Sequence, residues 1–355
     1  MIGESLRQIS FSVQTDLEEL EYHDLLSNSK KTMFTQSFKY IKWIINQLDN
    51  AQLFFIIARR KKDIIGLIPV VLSKNMGTNI VNSLPFFGSH GGVIIRNQEP
   101  SIVAKELLNH FNDFCRHNIV LSATIVEGLE GGNDAIYQNF VADFLQVRVT
   151  QISRLPIGKK QNILEEDIMQ MCTSKTRNAI RKIDKFNFKI SHSDQAFVTD
   201  CLYTQHKEGI DKLGGLVKPK NLFSSLNQFF EYGSDYRVYF AEYDGQIISC
   251  LLVFYYNGWV EYFTPTILSS HRALQPLSSI IFRAMSDSVL ENNSILWNWG
   301  GTWPSQSSLY KFKNSWGAKD FLYTVRTKIS CKDKDLEKML PELRSSHPYF
   351  YIYPY

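Results

Sequence analysis

The sequence predicts a mixed α/β (α+β) fold in which one unit is used twice: helix, three-stranded meander, helix, strand, helix, strand. Three observations predict it. The chain has 355 residues, more than one hydrophobic core usually serves, so two domains are expected. Hydrophobic residues make up 44% and charged residues 21%, the balance of a globular chain and not of a disordered one. Helical and strand patterns then succeed one another in the same order in both halves.

In the first half, Phe38, Ile41, Ile45 and Leu48 recur at helical spacing, and Ile44 widens the apolar face. β-like runs come next at 53–58, 64–72 and 79–84, separated by the polar stretches 59–63 and 73–77. Gly88-Ser89-His90-Gly91-Gly92 reads as a flexible turn, because it lacks the Lys-Ser/Thr of a phosphate loop. A helix is expected over 102–116, with Leu107, Leu108, Phe111 and Phe114 on its apolar side. A strand at 120–126, a helix at 134–144 and a strand at 146–155 complete this half.

The second half opens with a helix at 221–230. A strand at 237–243 turns at Asp244-Gly245 into 246–256, which turns at Asn257-Gly258 into 259–264. Asp-Gly and Asn-Gly favour the positive φ of two-residue hairpin turns. Pro276 suits a first helical position, and Leu277, Ile280, Ile281, Ala284 and Met285 form one apolar face after it. A strand at 295–299, a short helix at 307–316 and a closing strand at 321–329 complete the second half. The polar, Lys/Glu-rich segment from Gly158 to Asp167 reads as a joint between halves. The tail from Lys332 is charged and then aromatic (Tyr349, Phe350, Tyr351, Tyr353, Tyr355), without an assignable pattern.

Several function classes are disfavoured. The five cysteines (Cys115, Cys172, Cys201, Cys250, Cys331) are scattered without a C-x-x-C, which fits reduced cytosolic thiols and no zinc site. His110 and His117 are not at metal-ligand spacing, there is no H-E-x-x-H, and no metal is expected. No G-x-S-x-G elbow supports a serine hydrolase. The N-terminus lacks a basic start followed by an apolar run, and the apolar stretch at 64–72 is too short to span a bilayer. The expected location is therefore cytoplasmic, with no integral membrane segment. A net charge of +4 does not predict bulk nucleic-acid binding.

Two segments carry candidate chemistry. In 174–186, Ser174 is a natural N-cap and Ala179, Ile180, Ile183 and Phe186 share one side. Lys175, Arg177, Arg181, Lys182 and Lys185 occupy the remainder, either as a solvated face or as a phosphate clamp. In 297–317, a buried strand ends at Gly300-Gly301, where a ligand or another backbone can approach closely. Trp303 and Pro304 then lead into a helix carrying Tyr310, Phe312, Lys313 and Trp316. Phe312 and Trp316, four apart, also suit core packing.

These segments resemble the Fem-type branch of the GNAT superfamily, which includes the peptidoglycan bridge-forming aminoacyltransferases and related acyltransferases of polysaccharide gene clusters. The resemblance runs over 34–329. It is carried by R-x-x-I-R-K at 177–182 and by the Gly-Gly followed by Y-K-F-K-x-x-W-G that ends at Gly317, with Leu84-Pro85-Phe86 and Gly91-Gly92 adding to it. It implies tandem GNAT-like domains: 1–157 as an acceptor-cleft wall, 158–167 as linker, 168–331 as the catalytic domain and 332–355 as a tail. It implies that Phe312-Lys313 lies in the substrate channel near the transferred group, and that Arg177 or Arg181, with Lys182 beside them, binds substrate phosphate.

The donor stays open between acyl-coenzyme A and aminoacyl-tRNA. No sustained heptad run supplies the coiled coil of tRNA-recognising relatives. The stretch matching the coenzyme A pyrophosphate loop, Ser270 to Leu277, contains no glycine. It does hold Arg272 and Gln275 ahead of a helix N-terminus whose N–H groups suit an anion.

Acyl transfer to an amine needs a proton acceptor and a donor for the oxyanion. Glu261, on the third meander strand, is the candidate base or else an outward strand carboxylate. Lys313 is the candidate oxyanion or leaving-group stabiliser. Tyr310, three residues earlier, is the candidate general acid. Phe312, Trp303, Arg272 and Gln275 are candidate substrate contacts. The expected reaction moves an acetyl-like group to an amine of a nucleotide- or lipid-linked sugar or peptide precursor of an envelope polysaccharide. The alternatives are aminoacyl-tRNA-dependent transfer and, from another class, a non-catalytic ligand-binding scaffold.

Overall fold

The structure is a computed structural model that describes residues 8–29, 32–129, 134–157, 160–303, 305–330 and 333–353. Gly158, Pro304, Cys331, Lys332 and Tyr355, named above, lie outside the described residues. The strands are β1 (Ile9–Gln14), β2 (Ala51–Arg60), β3 (Asp63–Asn75), β4 (Thr78–Ser83), β5 (Ile94–Ile95), β6 (Ser122–Val126), β7 (Phe144–Arg154), β8 (Lys189–His192), β9 (Tyr236–Tyr243), β10 (Gln246–Tyr256), β11 (Trp259–Ile267), β12 (Leu296–Thr302) and β13 (Lys319–Ile329). The chain divides into two compact units, Met1–Arg148 with Leu322–Tyr355, and Val149–Phe321.

In the first unit the strand order is β1-β2-β3-β4-β6-β13. The β4–β6 pair is parallel and the others are antiparallel. Helix Ser101–His117 lays Val103, Leu107, Leu108, Phe111 and Phe114 on a core that includes Ile56, Ile68 and Val70. The closing strand is tied in by Glu127, just past β6, which accepts from Arg326 Nε (2.6 Å) and from the Thr324 N–H (3.0 Å).

The second unit repeats the plan, with order β8-β9-β10-β11-β12-β7 and a parallel β11–β12 pair. Its core gathers Leu251, Val253, Val260, Trp297 and Trp299 with Ile280, Ile281, Ala284 and Met285 of helix Pro276–Asn292. Both hairpin turns form as expected: φ is +49° at Asp244, +75° at Gly245, +48° at Asn257 and +76° at Gly258.

The structure differs from the sequence reading at several points. The closing strands are exchanged between units, so the division does not run as 1–157 and 168–331. Residues 149–154 of β7 pair with β12, and β13 pairs with β6. The segment expected as a linker runs into a helix, Gln161–Met171, which buries Leu164 and Ile168 against the second core. The helix expected at 134–144 stops at Tyr137. The one expected at 221–230 breaks at Ser225 into Lys220–Ser224 and Leu226–Phe229. The loop at 88–92 is packed and not a free turn. A Cβ on Gly91 would fall 1.6 Å from the Leu84 carbonyl oxygen, and His90 is fully buried against Tyr323.

The tail also has structure. Helix Asp333–Ser346 carries Leu343, which joins Ile80 and Ile352 in a small apolar cluster of the first unit. β1, β8 and the helices Glu19–Ser27 and Ala196–Asp211 are additions that periodicity did not reveal.

Candidate functional site

β11 and β12 share three parallel rungs: Trp259 with Leu296, Val260 with Trp297, and Glu261 with Asn298. Beyond the third rung β11 continues along β10 to Ile267, and β12 continues along β7 to Thr302. Each arm is bulged near the parting point. Leu252 faces Thr264 while Val253 faces Tyr262, which leaves Phe263 as the extra residue. On the other arm, Asn298 faces Ile152 while Gly301 faces Thr150. Bulges bend a strand locally, and here they open a wedge with Glu261 and Asn298 at its vertex. Gly300, at φ +72°, supplies the left-handed turn that the second bulge requires.

Strand alternation sends Val260, Tyr262, Trp297 and Trp299 into the core and turns Glu261 and Asn298 to the other face. Both are buried. Asn298 Nδ2 donates to Glu261 Oε2 at 2.6 Å, and Asn298 Oδ1 accepts the Gly300 N–H at 3.0 Å. Burial raises the Glu261 pKa to about 8, against the opposing pull of Asn298, Lys313 and Lys218.

Lys313 is held on the β12 arm by helix Ser307–Asn314. That helix is anchored by Phe312 and Trp316, whose rings lie 6.1 and 5.8 Å from Trp299. Ser153 Oγ adds a tie, accepting from Trp299 Nε1 and donating to the Trp316 carbonyl, both at 2.9 Å. The buried Lys313 ammonium donates to the Gly300 and Gly301 carbonyls (3.1 Å each) and to Thr302 Oγ1 (2.8 Å). Burial lowers its pKa to about 8, while Glu261 pulls the other way.

A second lysine, which the sequence did not single out, stands on the β11 arm. Lys218 Nζ donates to the Phe263 carbonyl (3.2 Å) and to Thr264 Oγ1 (2.9 Å), and lies 4.0 Å from the Phe263 ring centroid. The residue is half-buried, with its ammonium end on these partners. Burial lowers its pKa and the Glu261 carboxylate raises it, so the ammonium form is the one that accompanies ionised Glu261. Its backbone N–H donates to Nε2 of buried His206 at 3.3 Å, and Pro219 after it restricts it to extended geometry. One carboxyl group thus faces two ammonium groups at the opening of the wedge.

Other candidates take other places. The Tyr310 hydroxyl donates to Asp320 Oδ2 at 2.7 Å, which raises its pKa, so Tyr310 and Lys313 engage different partners despite their spacing. Phe312 packs on the core. Trp303 is half-buried, and its backbone N–H donates to Gln306 Oε1 (3.1 Å). Arg272 is exposed on a 3-10 turn, Ser269–Leu274. Gln275 takes a left-handed conformation ahead of Pro276 with no side-chain cap bond. Lys182 Nζ donates to the Ala273 carbonyl (2.7 Å), which joins the basic segment to that turn.

The basic segment is two short helices, Ser174–Ile180 and Lys182–Phe186, and Thr173, not Ser174, is the N-cap. It borders a cleft of about 940 Å³ that takes in Arg177, Arg181 and Arg283 but also Glu165, Glu166 and Asp184. Arg177 is spent on the Cys172 carbonyl (2.5 Å) and Ser174 Oγ (2.9 Å), and Arg283 on Asp287. Arg181 has no such partner among the described residues.

The first unit holds a counterpart wedge with different contents. β4 and β6 also share three parallel rungs, and the last pairs Asn82 with Thr124 where the second unit has Glu261 with Asn298. The space there is taken by the chain's own tail. Thr124 Oγ1 donates to the Tyr351 carbonyl at 3.2 Å, and the Asn82 amide, turned to satisfy its neighbours, accepts the Tyr351 N–H at 2.6 Å.

No family model and no curated protein matches the chain in sequence. Solved structures do match in fold. FemX superposes with a TM-score of 0.67 at 12% identity, over 93% of this chain and 99% of its own. A tandem GNAT protein from the clavulanic acid biosynthesis pathway gives 0.56 at 10% identity, over 92% and 99%. L-PGS from Bacillus licheniformis gives 0.52 at 12% identity, over 92% and 96%. The fold is therefore the tandem GNAT-like fold of the Fem type.

Proposed function

We propose that this chain is an acyltransferase that moves an acyl or aminoacyl group onto an amine, with its chemistry in the second unit. The observation that carries the reading is the buried Glu261 carboxyl at the vertex of parted strands, held by Asn298 and faced by two ammonium groups. A carboxyl pushed up to about 8 is matched to taking a proton from an attacking amine near neutral pH. The first unit lacks a carboxyl at the equivalent rung and has that space filled, which supports one reactive centre.

The acceptor is an amine on a nucleotide- or lipid-linked sugar or peptide precursor of an envelope polymer, acted on from the cytoplasm. Arg181 in the cleft is the residue proposed to meet its phosphate. The donor is an acyl-coenzyme A or an aminoacyl-tRNA. Among the described residues no helix is long and apolar enough to cross a membrane.

The test is a mass-spectrometric transfer screen. Acetyl-coenzyme A, longer acyl-coenzyme A species and charged tRNA are offered with nucleotide amino sugars and peptidoglycan precursors. A new acyl mass on an acceptor, lost with Glu261→Gln, supports the reading. Tight acceptor binding with no transfer from any donor would replace it with the binding-scaffold alternative.

A further inference from the structure

We propose that Lys218, and not Lys313, gives the hydrogen bond that stabilises the oxyanion formed in the wedge. The proposal rests on the acyltransferase reading above and adds to it the group that receives the developing charge.

An ammonium has three N–H donors. Lys313 directs its three at the Gly300 carbonyl, the Gly301 carbonyl and Thr302 Oγ1. Turning one toward a substrate would take the donor from a buried or half-buried acceptor of β12, a penalty that offsets much of the gain. Lys313 therefore ties down the β12 arm and contributes charge. Lys218 has two oxygen acceptors, the Phe263 carbonyl and Thr264 Oγ1, and its remaining face meets the Phe263 ring. A ring is a weak acceptor, so an oxyanion takes that hydrogen in its place.

Position and rigidity agree with the count. Phe263 and Thr264 come after Glu261 on the same strand, immediately past the last rung shared with β12. The Lys218 backbone is fixed by His206 and Pro219, so the donor is in place before any charge appears. His206 is kept neutral by burial, with the Lys218 charge adding to the effect, and brings no competing cation.

In the reaction, the amine nitrogen forms a bond to the acyl carbon while the carbonyl π pair moves onto its oxygen. The amine proton passes to the Glu261 carboxylate. Collapse of the adduct re-forms the carbonyl and expels the thiolate or ribose oxygen of the donor, which takes the proton back from Glu261. Lys218 exchanges no proton. It holds the oxygen between the first and last steps.

The experiment uses the full chain with lysine ammonium groups observed by nitrogen-15 NMR, the Lys218 and Lys313 signals being assigned through Lys218→Arg and Lys313→Arg. Methylphosphonate serves as the tetrahedral anion probe. The Lys218 signal is expected to move on titration while that of Lys313 stays in place. With the donor and acceptor found in the screen, Lys218→Met is expected to lower kcat about 100-fold, leave the acceptor KM within about threefold, and be partly rescued by Lys218→Arg. A stationary Lys218 signal, movement of Lys313 in its place, or an unchanged kcat in a folded Lys218→Met would overturn the proposal. Failure of the wild type to transfer from any donor would instead count against the acyltransferase reading, and the anion titration would still decide the role of Lys218.

Discussion

Asn298 and Glu261 meet at 2.6 Å on the last rung that β11 and β12 share, so the amide that closes the ladder also steadies the carboxyl at the vertex of the wedge. Burial lifts the Glu261 pKa, and the Asn298 hydrogen bond restrains the lift. Asn298→Ala therefore moves the ascending limb of the pH–rate profile above its wild-type position near pH 8, and Glu261→Gln removes the limb. Initial rates across the neutral to alkaline range check both.

The same shift has a sign for stability. The folded pKa of Glu261 lies above its unfolded one, so its favourable contribution is full at acid pH and gone once pH has risen through about 8. Glu261→Gln should flatten the loss of stability that runs from the ordinary carboxyl value of 4.5 up to about 8. Denaturant midpoints below and above that whole window measure it.

Lys313→Met leaves the Gly300 and Gly301 carbonyls and Thr302 Oγ1 without their donor. A fully buried orphan such as Thr302 Oγ1 costs roughly 1–3 kcal/mol and the half-buried glycine carbonyls less, so the variant should unfold at lower denaturant and lose transfer together with stability. A midpoint at or above that of the wild type would show that burying the charge had cost as much as its bonds returned.

Ile352 is 3% exposed and packs with Ile80 and Leu343. Ile352→Ala is expected to destabilise the chain by about 2–5 kcal/mol, read by chemical denaturation. An effect below a few tenths would show that the tail is not an integral part of the first unit.

Arg181 lines the cleft without a hydrogen-bonding partner among the described residues. If it meets acceptor phosphate, Arg181→Ala raises the acceptor KM about tenfold and leaves kcat unchanged, whereas Arg177→Ala, which breaks bonds within its own helix turn, lowers stability first.

The sequence made the meander of the second half legible because Asp244-Gly245 and Asn257-Gly258 state their turns locally, and Pro276 states a helix start. Glu261 and Lys313 are singled out through the family resemblance, which looks for a base on the third meander strand and a Phe-Lys pair on the helix after Gly300-Gly301. Their company was less visible. Asn298 leaves one signal, a polar residue between Trp297 and Trp299 in an otherwise apolar strand. Lys218 leaves almost none, since a lysine between glycines and a proline reads as a solvated loop until tertiary packing turns its head inward. Leu164, inside the segment whose charges suggested a joint, and Ile168, just past it, have the spacing of a buried helix face. The exchange of closing strands has no local signature, because β7 and β13 show the same alternation whichever sheet receives them.

That exchange bears on how the chain is made. The first unit begins at the N-terminus but takes the strand beside β6 from Leu322–Ile329, near the other end of the chain. Residues 149–321 leave the ribosome as an uninterrupted stretch before β13 has emerged in full. The later-coded unit can thus close first, while β6 stands with an open edge until β13 arrives. A chain cut short at Phe321 should carry a protease-resistant second unit and a first one that is still unfinished.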